Sequence, residues 1–159
     1  AWASNQSSVI NSREELDKKL VADFPYILCD RNKGMDESCM YWGFSVGDGW
    51  YDIIQNICEE LMSIHKETGV QMVAQQVKEK FGSLRFYAAY NDHLLPCNRS
   101  EIVEAIDRAH SIINMLCDKS SSVCETCGED GKQQTDGWIK TLCDTCQDIK
   151  NKKEQKTWF

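Results

Sequence analysis

Four cysteines, Cys124, Cys127, Cys143 and Cys146, fall as C-E-T-C, fifteen intervening residues, then C-D-T-C, a spacing that reads as a metal site built from two thiolate pairs. A two-residue gap lets both sulfurs of a pair reach one ion, and a tetrahedral Zn²⁺ closes when two such pairs converge. Gly128 directly follows the first pair, where glycine accepts the positive φ of a tight knuckle. Trp138-Ile139-Lys140-Thr141-Leu142 reads as a strand leading into the second pair. Cys143 and Cys146 are expected at the start of a terminal helix, whose free amides and positive dipole stabilise thiolates. Four protein sulfurs leave no open coordination position, so the expected cofactor is structural Zn²⁺. A redox dithiol or an iron cluster is the other reading of the same four thiols.

The chain of 159 residues is long enough for one ordinary core and a small metal-held appendage. Its 42% hydrophobic and 27% charged residues are those of a folded chain. No apolar run approaches the ~20 residues of a membrane span, and the opening segment has neither the basic start nor the apolar stretch of a signal peptide. Residues 1–11 are expected to be disordered or extraneous to the fold. Beyond the metal pattern, Cys29, Cys39, Cys58, Cys97 and Cys117 form an odd, scattered set, which suits reduced thiols and a cytoplasm. A net charge of −7, from 18 basic and 25 acidic residues, argues against generic binding to a phosphate backbone and toward a protein or small-molecule partner. The local exception is Lys150, Lys152, Lys153 and Lys156, which outnumber Asp148 and Glu154; the plain alternative is a solvated helix end opposing its own dipole.

Along the chain, Ser12 and Glu15 make a capping box before Leu16 and Leu20, giving a first helix that Pro25 stops. An irregular loop is expected from Asp30 to Ser38. Asp48 is placed to cap the strongest helix, whose stripe of Trp50, Ile53, Ile54, Ile57, Leu61 and Ile64 ends at Gly69. Val70, Met72 and Ala74 then alternate with Gln71, Val73 and Gln75 before a strand at Leu84 to Tyr87, together a hairpin. The next helix, opening near Asn98 or Ser100, carries Ile102, Val103, Ile106, Ala109, Ile113 and Leu116 on one side. Cys58 and Cys117 fall in the two helical patterns as small buried hydrophobes. Lys119 to Val123 reads as a serine-rich hinge.

His65, His93 and His110 have no ligand or triad spacing, and no phosphate loop, dinucleotide glycine pattern, nucleophile elbow or metalloprotease helix is present. Two segments stand out. Gly47 to Asp52 sets Asp48, Trp50 and Asp52 among glycines at a helix start, able to offer amides and a stacking ring to a ligand; the plain alternative is a cap and a core tryptophan. Lys78, Lys80, Phe81, Arg85 and Tyr87 make a basic, aromatic set suited to a nucleotide or an acidic protein surface; the plain alternative is a hairpin with a solvated face.

The motifs G-D-G-W-Y-D-I-I at Gly47 to Ile54, V-K-E-K-F-G-S-L-R-F-Y at Val77 to Tyr87, and C-x-x-C-G…W-I-K-T-L-C-D-x-C at Cys124 to Cys146 resemble a family of small uncharacterised phage and prophage proteins. The resemblance spans roughly residues 40 to 147 and implies a protein made in a bacterial host cytoplasm. Knuckle, hairpin and helix also resemble a treble-clef zinc finger. The expected fold is therefore α+β: a helix–hairpin–helix core over residues 12–118 and a zinc module with a basic terminal helix over 119–159. The expected function is a non-enzymatic phage accessory protein that binds and inhibits a host target, an antiviral-defence component or its signalling nucleotide. A zinc-finger regulator binding nucleic acid through Lys140 and the lysine tail is the alternative. A nucleotide-processing enzyme using Asp48, Asp52, Lys80 and Arg85 is the third.

Overall fold

The computed structural model describes residues 13–91, 99–135 and 137–156. Residues 1–11, Ser12 of the capping box, His93, Cys97 and Asn98 lie outside them. The described chain is a mixed α+β fold of four α-helices and two small sheets.

Helix α1, Arg13–Asp23, buries only Leu16 and Leu20, so packing rather than a broad apolar face holds it. Past it, Phe24, Ile27 and Leu28 turn into the core. The expected loop is more ordered than its composition suggests, with 3₁₀ turns at Cys29–Asn32 and Cys39–Trp42. Between them the Asp30 carboxylate accepts from Ser38 Oγ at 3.3 Å and pairs with Lys33 at 3.1 Å.

Strand β1, Phe44–Ser45, lies parallel to β2, Met72–Lys80, with Phe44 opposite Val77. Two residues are too short for a period-two pattern, so nothing in the sequence marked β1. Helix α2, Tyr51–Thr68, buries the whole expected stripe, and Gly69 ends it in the left-handed conformation at φ 79°. Asp48 is not its cap: a 3₁₀ turn at Asp48–Trp50 leads in, and no side chain caps either start. The Asp48 carboxylate instead faces Arg13 Nε at 3.5 Å.

β2 pairs antiparallel with β3, Ser83–Tyr90, through a turn in which Phe81 and Gly82 have φ of 53° and 80°. Two positive φ values in a two-residue loop match the twist of the strands it joins. The register shifts between Ala74 and Gln76, so Met72 and Ala74 are buried before the bulge and Val77 after it. Gln71, expected on the polar face, is buried and donates its amide to Met72 O at 2.9 Å.

Helix α3, Arg99–Lys119, packs on α2 and β3 through Ala105, Ala109, Ile113 and Leu116. Val103, expected on that face, is 50% exposed; it lies about 100° around the helix from Ile102, and Ala105 fills the inward position. Ser120–Ser122, expected as a hinge, is a 3₁₀ turn tied to the sheet. Buried Ser120 accepts the Leu84 amide at 2.7 Å and donates to Cys117 O at 2.5 Å. The C-terminal part is an antiparallel pair, β4 Lys132–Gln134 and β5 Lys140–Leu142, followed by α4, Asp144–Lys156. Among the described residues no helix is long and apolar enough to cross a membrane.

Candidate metal centre

Gly128 takes φ 83°, and its amide donates to Cys124 O at 2.9 Å, closing the knuckle. β5 delivers Cys143 to the entrance of α4, where the Cys146 amide points at Cys143 Sγ at 3.4 Å. The four sulfurs of Cys124, Cys127, Cys143 and Cys146 thus lie within 4.8 Å of one another. Cys127 and Cys143 Sγ are 3.7 Å apart. That is far beyond the ~2.05 Å of a disulfide, and it matches the ~3.8 Å edge of a sulfur tetrahedron around an ion with bonds of ~2.3 Å. The cluster can hold a metal ion.

Thiol electrostatics point the same way. Burial pushes the Cys124 thiol up, but the amides of Cys127, Cys143 and Thr126 directed at its sulfur outweigh this and pull it down to about 7. Cys146 is pushed well up by desolvation and by the other three sulfurs. Four sulfurs this close cannot all ionise unless a cation shares their charge. By contrast Cys58 is raised by burial at a fully covered core position, and no described cysteine is in a disulfide.

Both segments singled out in the sequence meet the cysteine-bearing part of the chain, the first at the knuckle and the second at β5. The Gly49 amide donates to Glu125 O at 2.7 Å, the Gly47 amide to Glu125 Oε2 at 2.9 Å, and the Trp50 indole N–H to Val123 O at 2.8 Å. The glycines are there for close approach: a Cβ on Gly49 would collide with Cys124 O and sit 2.5 Å from Gly128 N. On the other side Thr141 Oγ1 donates to Gly82 O at 2.5 Å. Lys140 links the hairpin to the knuckle, with Nζ 2.9 Å from Glu79 and 3.5 Å from Glu125. Desolvation works against the Lys140 ammonium, yet these carboxylates hold its pKa above the ordinary value. Glu79 and Glu125 escaped the sequence reading, because nothing in their local pattern separates a buried partner from an exposed acid.

As a ligand platform the Gly47 to Asp52 segment fails at its centre, since Trp50 is fully buried and offers no stacking face. Asp48 and Asp52 are exposed. Lys78 and Arg85 stand opposite one another across the hairpin, Lys78 lies over Tyr87 and Lys80 over Phe81 at 5.8 and 5.6 Å from the ring centres. Arg85 and Tyr87 border a groove of about 380 Å³ between β3 and α3, whose lining includes neither Asp48 nor Asp52. His65 is half-buried and His110 exposed.

A second concavity, about 520 Å³, opens between the β1–Gly47 segment and α4. Its cations are Arg13, Lys140, Lys150 and Lys153, and Val46, Leu142 and Ile149 supply apolar surface. Lys140, Lys150 and Lys153 are visible in the sequence as local basic character, whereas Arg13 reaches this cleft only through the fold.

No family model, curated protein or solved structure matches the chain.

Proposed function

We propose that this chain is a zinc-stapled, non-enzymatic binding protein made by a phage, which engages and inhibits a component of bacterial antiviral defence. The observation that carries the binding reading is the seating of a closed four-sulfur centre on the core, through Gly47, Gly49, Trp50 and Gly82. A metal ringed by four protein thiolates has no position left for water or substrate, so its contribution is to fix the surface around it. Zinc is the ion of choice for four thiolates in a tetrahedron. The knuckle at Cys124 to Gly128, the β4–β5 hairpin and α4 support a treble-clef arrangement of this module. The phage setting and the host target rest on the resemblance of the three motifs. A basic cleft favours a second reading, the zinc-finger nucleic-acid binder.

The test is plaque formation. Expressed in a panel of bacterial strains, each carrying one antiviral defence system, the chain is expected to restore plaques of a restricted phage in at least one. No rescue in any strain, with the protein soluble and metal-loaded, would sink the defence reading.

A further inference from the structure

We infer that the cleft between the β1–Gly47 segment and α4 is a binding site for a phosphate-bearing small molecule of nucleotide type. This deepens the proposed function by naming the ligand class, and it rests on the reading of this chain as a binding protein.

Charge comes first. The chain carries −7 overall, yet among the described residues Arg13, Lys140, Lys150 and Lys153 border this cleft and Glu125 is the one acidic residue in its lining. Glu125 accepts the Gly47 amide at 2.9 Å, and it shares Lys140 with Glu79 at 3.5 and 2.9 Å, so Lys140 is matched by these carboxylates and the positive charge for an anion comes from Arg13 and the α4 lysines. Arg13 faces Asp48 at 3.5 Å with both side chains about half exposed, a pairing weak enough in water for a phosphate to displace. A cleft with like charges on low-dielectric walls concentrates anions at its mouth.

Shape and polarity narrow the anion. About 520 Å³ lies within the ~300–1,000 Å³ typical of small-molecule sites and exceeds what a lone phosphate fills. Half-exposed Ile149 gives the cleft an open apolar side chain, while Val46 and Leu142, both nearly covered, line it with little surface. A ligand with phosphates at one end and a flat, weakly polar ring system at the other satisfies both features. The floor is preorganised, because Val46 precedes a glycine bonded to the knuckle and Leu142 precedes a metal-ligating cysteine, so little ordering entropy is lost on binding.

The experiment is calorimetric titration of the metal-loaded full chain with purine and pyrimidine nucleoside diphosphates, a cyclic dinucleotide, adenosine, inorganic phosphate and a short single-stranded DNA. Saturable binding of a nucleotide is expected, at least about tenfold tighter than adenosine or phosphate. Lys150→Glu with Lys153→Glu is expected to weaken it by at least about tenfold, with metal content and melting temperature unchanged. No saturation by any nucleotide up to about 1 mM, or binding indifferent to the double substitution, overturns the inference. So does DNA binding tighter than any nucleotide with a steep salt dependence, which gives the cleft to nucleic acid. Plaque rescue that persists without nucleotide binding removes the ligand and keeps the host-target reading; binding without rescue does the reverse.

Discussion

At the residue scale, the two glycines of G-D-G show how a motif that looks like a ligand loop can serve packing. Gly49 lies so close to the backbone of Cys124 and Gly128 that a methyl group has no space, and the neighbours are main chain of the cysteine knuckle, closed by the Gly128 N–H to Cys124 O bond. Gly49→Ala is therefore expected to cost about 3 kcal/mol or more, seen as a fall in melting temperature of roughly 6–12 °C; a fall of a degree or two would refute the close approach. Lys140 gives a prediction with a definite sign. Its pKa is raised above the ordinary 10.5 by Glu79 and Glu125, against the opposing desolvation. A raised folded-state value contributes stability that is fully present below pH 10.5 and is lost as pH climbs through the folded value. Lys140→Met is expected to lose on the order of 2 kcal/mol at neutral pH, and its stability deficit relative to the parent should shrink above pH 10.5. A deficit constant across that window would show that the two carboxylates do not hold this ammonium.

At the element scale, the sequence carried what periodicity and spacing can carry. The α2 stripe, the Gly69 terminus, the hairpin and the two cysteine pairs were legible because each repeats a local rule within one segment. Val103, Gln71 and β1 were not, for three physical reasons. A helical stripe is only about as wide as its neighbours make it, Gln71 is covered ahead of β2 with its amide satisfied by a main-chain carbonyl that composition does not reveal, and a two-residue strand exists only because β2 lies beside it. Ser120 to Ser122 looked like a hinge because serine composition says nothing of a hydroxyl that caps a distant amide. The metal module yields the matching prediction. Chelation removes a binding energy of roughly 10–16 kcal/mol in small zinc modules, so stripped protein should lose protection at the Cys124 and Gly49 amides, which bond to Glu129 O and Glu125 O. Amide exchange should then accelerate at both positions while the middle of α2 stays protected longer. Equal protection with and without metal would mean that the four sulfurs do not organise the knuckle.

For the whole molecule, the bonds crossing between the core and the metal module decide how it unfolds. A fragment ending at residue 118 would lose the Ser120 hydroxyl from Leu84 N–H, Val123 O from the Trp50 indole, Glu125 from two glycine amides and Thr141 from Gly82. Buried donors or acceptors stripped of their partners cost about 1–3 kcal/mol each, and a handful of them approaches the roughly 5–15 kcal/mol that a domain has in total. Water can reach the outer ones, but Trp50 is fully covered in the intact chain. The fragment is therefore expected to keep far-UV circular dichroism while losing the near-UV signal and binding a hydrophobic dye, the signature of a core without fixed packing. In the intact, metal-loaded chain the same bonds should couple both parts into one transition, with far-UV circular dichroism and tryptophan fluorescence following a single curve on heating. Two separated transitions, or a fragment melting within a few degrees of the intact chain, would show that the core folds without the metal module.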